Sequence, residues 1–360
     1  MSYIKLESIS KSFKDDKVIQ GLNAEINKGE FFVIFGPSGS GKTVLLRLLS
    51  GILLPDSGEI KMENAVINDL HPEERDVSMA FQNFALYPHM KAYENIASPL
   101  KANNISQDEI DSKVKEIANL LKIDHVLNQY PKELSNGQKQ RTSLARSLVN
   151  RPSVVLLDDP LRNVDAKIRF EMRLELPKVL KEFNTTVIYI SQDYREAMAL
   201  ADRIAVLYDG KFNDIDLPKN IYEKPSSLTT AKLFGDPTIN NFNAVISKNE
   251  NRVIAECNGE KIILQRKTSI ENGECIVGIR PEDINLSNQQ TEESLKVEFR
   301  TKTPLNLRIV FLVKLSNGLE LLCSMSEEEA KNIKEKEQLY VSFKEDKCLF
   351  FDAITKRNLE

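Results

Sequence analysis

Apolar positions in the first 200 residues form short runs that alternate with stretches of helical periodicity. Ile4 and Leu6 alternate with polar neighbours, which predicts a half-exposed strand, whereas 31–35 (FFVIF) is a continuous apolar run typical of a buried strand. Two more buried strands, each preceded by a helical pattern, are predicted at 154–157 and 186–190. Strands that alternate with helices predict an α/β fold.

The region from about 85 to 150 is predicted to be a helical subdomain. Ser106 and Glu109 have the spacing of a capping box, in which two side chains bond the backbone at a helix start. One apolar stripe at helical spacing follows: Ile110, Val114, Ile117 and Leu121. The pattern therefore predicts one capped amphipathic helix from 106 to about 127.

The character of the sequence changes after about residue 235. Short β-patterned runs meet at Asn258-Gly259 and Asn317-Gly318, dipeptides that favour the left-handed backbone of tight hairpins. With 360 residues, the chain exceeds the roughly 250–300 residues at which one core stops growing. We therefore predict an α/β domain at 1–235 and a smaller β-rich domain at 236–360.

Composition narrows the class of protein. With 41% hydrophobic and 28% charged residues, the chain has an ordinary globular composition. Its 49 basic and 53 acidic residues give a net charge of -4, which argues against nucleic acid as a partner. No stretch approaches the ~20 apolar residues of a membrane span, and the start, MSYIKLESIS, lacks the apolar core of a signal peptide. We therefore expect an intracellular protein.

The cysteines have no metal-ligand spacing and are expected to be reduced and buried: Cys257, Cys275, Cys323 and Cys348.

Residues 36–43 (GPSGSGKT) match the phosphate-binding loop between a strand and a helix. Glycines allow the backbone N–H groups to curl around phosphates at a helix N-terminus. Lys42 is expected to reach the β- and γ-phosphates, and the Thr43 hydroxyl to bind Mg²⁺. The alternative is a simple glycine turn. The predicted nucleotide-binding residues of this loop are Gly36, Pro37, Ser38, Gly39, Ser40, Gly41, Lys42, Thr43 and Val44.

Asp158 ends the apolar run of 154–157, which places a carboxylate at the edge of a parallel sheet where ligands bind. Such a residue alone is more often a helix cap or a turn residue. Combined with the phosphate loop, Asp158 is predicted to hold Mg²⁺. Together the two motifs predict a nucleoside triphosphatase.

Residues 134–138 (LSNGQ), shortly before the DDP of 158–160, resemble the signature motif of ABC ATPases. The resemblance extends over nearly the whole chain, because RDVSMAFQNFALYPHM, EKPSS and GIRPED are similar to ATPases of carbohydrate importers. It implies a dimer in which the signature motif of one subunit covers the nucleotide of the other. It also implies an oligonucleotide-binding-fold-like, regulatory C-terminal domain. The implied site residues beyond the phosphate loop are Gln82, which would also bind Mg²⁺, Phe13 against adenine, Asp165 at the dimer interface, and Ser135, Asn136, Gly137 and Gln138.

Four positions depart from the pattern of that family. Asp159 stands where a glutamate normally polarises the attacking water, and Gln192 stands where a histidine normally contacts the γ-phosphate. Asn136 replaces a usual glycine, and Val44 a frequent hydroxyl residue. The implied catalytic residues are Asp159, Gln192 and Lys42. Because the first two depart from the family pattern, hydrolysis is expected to be slow. The chain would pair with a different ATPase subunit or form a slow homodimer.

The resemblance implies an importer ATPase at the cytoplasmic face of the membrane. Its implied ligands are ATP and Mg²⁺, and its implied partners are transmembrane subunits, a second ATPase subunit and, indirectly, a solute-binding protein. Sugar, polyol or glycerol phosphate is the implied cargo, while polyamine or metal import stays open. A nucleotide-sensing ABC protein without transport is the second hypothesis, and a nucleic-acid-associated ABC protein is the least favoured.

Overall fold

The computed structural model describes residues 2–162, 164–249, 252–264 and 270–360. Contacts divide the chain into two compact units, Met1–Pro218 and Lys219–Glu360. Among the described helices, none combines the length and hydrophobicity that a membrane span requires.

The first unit contains an antiparallel sheet with the order β2-β1-β4-β5 and a larger sheet with the order β10-β9-β3-β8-β7-β6. In the larger sheet β9, β3, β8, β7 and β6 are parallel, and β10 is an antiparallel edge. The strands are β1 (Ser2–Phe13), β2 (Asp16–Asn27), β3 (Phe31–Phe35), β4 (Ser57–Met62), β5 (Ala65–Val66), β6 (Val77–Ala80), β7 (Val154–Asp158), β8 (Thr186–Ser191), β9 (Arg203–Tyr208) and β10 (Lys211–Asp216).

The first helix shares one hydrophobic core with both sheets. Buried Leu45 and Leu48 belong to the same cluster as Ile4 of β1, Phe32 of β3 and Leu156 of β7. This packing fixes the start of the helix at the carboxyl end of β3. The helices of this unit are α1 (Lys42–Leu49), α2 (Ala92–Ala102), α3 (Gln107–Leu120), α4 (Asn136–Leu148), α5 (Ala166–Glu182) and α6 (Tyr194–Leu200).

The three buried strands predicted from apolar runs are present as β3, β7 and β8. The predicted helix from 106 is shorter than expected, because α3 ends at Leu120 and only a short 3-10 turn follows at Asp124–Val126. The predicted capping box at Ser106 is wrong, since its side chain makes no bond to the first turn. A capping box occurs instead at α4, where Ser135 Oγ accepts from Gln138 N at 3.3 Å and Gln138 Oε1 accepts from Ser135 N at 2.9 Å.

These two serines give a matched pair of stability variants. Ser135→Ala is expected to lower the free energy of unfolding by about 1 kcal/mol, because it removes the acceptor of an otherwise unpaired helical N–H. Ser106→Ala removes no such bond and is expected to cost much less. Urea unfolding of the full chain, followed by circular dichroism at a helix band, measures both. Equal losses for the two variants would contradict the capping assignment.

The second unit is built from two antiparallel sheets with the orders β13-β12-β11-β14-β20 and β15-β19-β16-β17-β18. Side chains from both sheets form one buried cluster, which includes Val277, Phe311 and Phe350. The elements are α7 (Pro218–Glu223), α8 (Leu228–Leu233), β11 (Asn240–Asn249), β12 (Arg252–Cys257), β13 (Glu260–Leu264), β14 (Gly273–Ile279), β15 (Ile284–Ser287), β16 (Leu295–Leu305), β17 (Arg308–Leu315), β18 (Glu320–Ser326), α9 (Glu327–Lys331), β19 (Leu339–Phe343) and β20 (Leu349–Asp352).

The first predicted hairpin is present, and the second differs from its prediction. Asn258 and Gly259 both have positive φ, at 46° and 85°, between β12 and β13. Between β17 and β18 only Gly318 has positive φ. Asn317 instead donates to Cys257 O at 2.7 Å and accepts from Leu319 N at 2.9 Å. Its side chain bonds the backbone, so a left-handed conformation is not needed there.

The domain boundary predicted from the sequence is at residue 235, whereas the contacts divide the chain after Pro218. Leu228 and Ala231 of α8 pack against Ile276 of β14 and Phe351 of β20, so α8 belongs to the second unit. The change of pattern near 235 coincides with the approach to β11, the first strand of that unit. The four cysteines are free and buried, as predicted.

Candidate nucleotide site

The phosphate loop joins β3 to α1, and its shape depends on two glycines. A Cβ on Gly36 would lie 2.1 Å from Leu207 O, which is far inside contact distance. Gly41 has φ of 100°, and a Cβ there would lie 2.7 Å from Ile19 Cδ1. A side chain at either position would therefore displace the loop from β9 or β2.

Lys42 begins α1 and is 5% exposed. Its Nζ donates to Gly36 O at 2.8 Å and to Pro37 O at 2.6 Å, and lies 3.3 Å from Ser40 Oγ. Burial lowers the pKa of Lys42 to about 8, although the carboxylates of Asp159 and Asp158 oppose the shift. The ammonium is thus held inside the loop, where phosphate oxygens are stronger acceptors than carbonyls.

Thr43 and Asp158 come together at the carboxyl end of β7. Thr43 Oγ1 donates to Asp158 Oδ1 at 3.2 Å. Burial raises the pKa of Asp158, and the bond from Thr43 opposes that rise. A hydroxyl and a carboxylate are hard oxygen ligands that suit Mg²⁺, which is usually held by one or two protein carboxylates and by the phosphates of a substrate.

Asp159 follows Asp158 with an unusual backbone, since its φ is 46°. The residue is 5% exposed, and its buried Oδ2 accepts no hydrogen bond from the described residues. Burial raises the pKa of Asp159 to about 6, the carboxylate of Glu196 adds to the rise, and Arg162 opposes it. At neutral pH this carboxylate is still mainly ionised.

A buried network stands behind Asp159. Glu196 Oε2 of α6 accepts from Tyr189 Oη at 3.0 Å and from Ser191 Oγ at 2.9 Å. Arg173 Nη2 of α5 lies 2.6 Å from Asp193 Oδ2 and 3.2 Å from Glu196 Oε1. These bonds connect α5, β8 and α6, so they fix the end of β8 from which the next residue, Gln192, projects.

Most of the predicted site residues line one cavity of about 290 Å³. This volume is near the lower end of the ~300–1,000 Å³ of small-molecule pockets. Gln192 is exposed at its surface, and Gln82 is partly buried. The residues that line the cavity are Val18, Ser38, Gly39, Gly41, Lys42, Thr43, Val44, Gln82, Asp158, Asp159, Arg162, Ile190 and Gln192.

Nine of the predicted site residues are not among those that line this cavity, and three of them, Gly36, Pro37 and Ser40, belong to the phosphate loop itself. Phe13, at the tip of the β1–β2 hairpin, is 43% exposed and lies under the ammonium of Lys11. Ser135–Gln138 form the start of α4, and Asp165 caps α5 by accepting from Ile168 N at 3.0 Å. Asn136 has no positive φ, so its backbone does not need the conformational freedom of the glycine that is usual at this position.

The starts of α4 and α5 touch. A Cβ on Gly137 would lie 2.7 Å from Ile168 Cδ1, so the two helices approach closely at this glycine. The predicted signature residues and the predicted interface residue Asp165 are thereby neighbours, although neither set lies in the cavity of its own chain.

The segment after Gln82 is tied to the helical region. Ser143 Oγ donates to Phe84 O at 2.8 Å, and Arg146 Nη1 donates to Ala85 O at 2.8 Å. Asn95 accepts from Tyr87 N at 2.7 Å and donates to Met90 O at 3.0 Å. The chain from Gln82 to Met90 therefore links the cavity to α2 and α4.

Sequence reasoning missed Arg162 and Glu196. Arg162 is a cation three residues after Asp159 in the sequence, but no sequence pattern indicates that its side chain lines the cavity. Glu196 lies on a short helix, and its position near Asp159 depends on the pairing of β7 with β8.

A parallel sheet with a phosphate loop before α1 and a carboxylate pair at the end of β7 defines a P-loop nucleoside triphosphatase. Residues 19–162 match the family described as ABC transporter. In solved structures, the dimeric ATP-binding cassette MJ0796 in a post-hydrolysis state with ADP and phosphate matches with a TM-score of 0.55 and 30% identity, over 60% of this chain and 98% of that one.

Two relatives match over the full length. The iron(III) import ATP-binding protein FbpC of Fusobacterium nucleatum is 33% identical over 99% of this chain and 95% of its own. The sulfoquinovosyl glycerol transport ATP-binding protein SmoE of Agrobacterium fabrum is 34% identical over 100% of both. The trehalose/maltose import ATP-binding protein MalK of Thermococcus litoralis is 38% identical over 79% of each chain. This chain belongs to the ATP-binding proteins of ABC transporters, a family of ATP-hydrolysing enzymes that act with transmembrane subunits.

Proposed function

We propose that the chain is the ATP-binding subunit of an importer that takes up a sugar, a polyol or a glycerol phosphate across the cytoplasmic membrane. The observation that carries the nucleotide role is the single cavity shared by Lys42, Thr43, Asp158, Asp159 and Gln192. The carbohydrate cargo is supported by relatives such as SmoE and MalK. Relatives named for iron and for spermidine and putrescine make metal and polyamine the alternative cargoes.

ATP is proposed to bind with its phosphates against the amides of residues 36–43, and Lys42 to contact the β- and γ-phosphates. Thr43, Gln82 and Asp158 would hold Mg²⁺, which offsets phosphate charge when bound. Phe13 would pack against the adenine. In a dimer, Ser135–Gln138 of the opposing subunit would cover the same nucleotide, with Asp165 at the interface. Binding of two nucleotides would then close the dimer.

Hydrolysis at this site is proposed to be slow. Asp159 is one methylene shorter than a glutamate, and its buried Oδ2 has no hydrogen-bond donor among the described residues. Gln192 is a neutral amide and cannot supply the imidazole of a histidine. We therefore favour a pair with a second, different ATPase subunit over a slow homodimer. A nucleotide-sensing ABC protein that does not transport is the other candidate, favoured by the same weak site.

The transmembrane subunits are proposed to dock on the segment from Gln82 to Met90. This segment is supported by the bonds to α2 and α4 described above, and Tyr87 within it is 46% exposed. Movement at the cavity could thus reach the docking surface through a short, bonded stretch. The chain would lie on the cytoplasmic face of the membrane, contact a solute-binding protein only indirectly, and use its C-terminal unit for regulation.

Affinity purification of the tagged full chain from detergent-solubilised membranes of its host tests this proposal. Mass spectrometry is expected to find transmembrane subunits and a second ATPase with it. Tyr87→Ala should reduce this recovery severalfold, because Tyr87 exposes an aromatic side chain on the proposed docking segment. Tyr130→Ala is the matched control, because Tyr130 is 37% exposed and lies against Lys91 as Tyr87 lies against Arg146. This control should leave the recovery unchanged. Recovery without any membrane subunit would favour the nucleotide-sensing alternative.

A further inference from the structure

Arg162 brings a second cation into the nucleotide cavity. Its backbone N donates to Asp159 O at 3.3 Å, so the chain turns back after Asp159. Its side chain is 48% exposed and lines the same cavity as Lys42, Asp159 and Gln192. Among the residues that line this cavity, Lys42 and Arg162 are the cationic ones.

The contact between Arg162 and Asp159 leaves donors of the guanidinium available. Arg162 Nη1 lies 3.7 Å from Asp159 Oδ2, which is a charge contact and too long for a hydrogen bond. The Asp159 side chain is 7% exposed, and its Oδ2 is a buried atom without a hydrogen-bond partner in the described chain. The pair thus places the guanidinium at the cavity and leaves Asp159 Oδ2 without a hydrogen bond from the described chain.

Arg162 lines the same cavity as Lys42, the residue expected to reach the terminal phosphates. The guanidinium of Arg162 lies beside Asp159, which follows the predicted Mg²⁺ ligand Asp158 in the chain. Gly39, Gly41 and Val18 line the part of the cavity nearer the loop and β2.

We propose that Arg162 binds the γ-phosphate of ATP and makes the site discriminate a nucleoside triphosphate from a diphosphate. This inference rests on the proposed nucleotide site. A guanidinium presents several N–H donors in one plane, which matches the oxygens of a phosphate better than a point charge does. Before a nucleotide binds, Asp159 keeps the guanidinium at the cavity. When the triphosphate is present, its oxygens provide the acceptors that Asp159 at 3.7 Å does not.

Titration calorimetry of the full chain tests the proposal with two probes, Mg·AMP-PNP, which is not hydrolysed, and Mg·ADP. Arg162→Ala is expected to weaken AMP-PNP binding by about 10- to 100-fold, the range for a lost charge-assisted bond. Binding of ADP should change by less than about threefold, because ADP lacks the γ-phosphate. Arg162→Lys should lose less AMP-PNP affinity than Arg162→Ala, since it keeps the charge. Arg151→Ala is the matched control, because Arg151 is an exposed arginine paired with Glu116 and does not line the cavity.

Three results would overturn the assignment of Arg162. The first is unchanged AMP-PNP affinity in Arg162→Ala, and the second is an equal loss for AMP-PNP and ADP, which would indicate damage to the fold or to the whole site. The third is an equal loss in Arg162→Lys and Arg162→Ala. The unfolding temperature of Arg162→Ala without nucleotide is expected to match that of the wild type. This measurement separates a local loss of binding from a general loss of stability. If the wild-type chain bound neither nucleotide, the proposed nucleotide site itself would fail. If the wild type and Arg162→Ala both bound AMP-PNP with the same affinity, only the role of Arg162 would fail.

Discussion

The double variant Asp159→Glu with Gln192→His is expected to hydrolyse ATP about 10²-fold faster than the unmodified chain, within the ~10²–10⁴-fold range of general-base effects. The limit on Asp159 is its reach and not its charge. Its pKa of about 6 leaves it mainly ionised at pH 7.5, yet its buried Oδ2 has no hydrogen-bond partner in the described chain. A glutamate extends the carboxylate by one methylene toward the cavity, and a histidine at 192 supplies a titratable donor.

Steady-state release of phosphate by the purified full chain measures this effect in the wild type, the two single variants and the double variant. Asp111→Glu with Gln107→His is a matched control, because these residues are a hydrogen-bonded pair on the exposed face of α3. The control should not change the rate. A wild-type rate of about 1 s⁻¹ or more, typical of ordinary enzymes, that the double variant fails to improve would exclude a weakened site.

Lys42→Ala is expected to weaken binding of Mg·ATP by about 100-fold, the upper range for loss of a charge-assisted bond in a buried site. The ammonium is buried and fixed by Gly36 O and Pro37 O. The variant also removes the bonds that fold the loop around it. Equilibrium binding of a fluorescent ATP analogue to the full chain measures the loss.

Lys28→Ala provides the control for Lys42→Ala. Lys28 is 62% exposed and pairs with Glu63 on the antiparallel sheet, outside the cavity lining. Its substitution should leave the affinity for Mg·ATP unchanged. Uptake of Mg·ATP by Lys42→Ala at the wild-type affinity, in a variant that unfolds at the wild-type temperature, would refute the nucleotide site.

The strands that carry the site could be predicted because their burial on both faces requires uninterrupted apolar runs. Residues 31–35 and 154–157 have no competing pattern, and both form central strands of the parallel sheet. The phosphate loop could be predicted because its sequence pattern has glycines where the neighbouring backbone leaves no room for a side chain, as at Gly36. The position of Asp158 followed from the strand that precedes it.

Features that depend on tertiary pairing could not be predicted from the sequence. Glu196 approaches Asp159 only because β7 pairs with β8 and α6 follows β8. The contact of Arg162 with Asp159 requires a turn in which Asp159 has a φ of 46°. An aspartate tolerates this conformation, but its presence in the sequence does not predict it. At Ser106, the spacing of a capping box was correct while the side chain did not make the bond.

The close approach of Gly137 to Ile168 has a mechanical consequence. Because Gly137 has no Cβ and Ile168 packs directly over it, a displacement of one helix start presses on the other. In a dimer of the proposed kind, the serine that covers a neighbour's ATP and the aspartate at the interface would shift together. Each nucleotide could then sense the occupancy of its counterpart through sterics alone, without any exchange of charge.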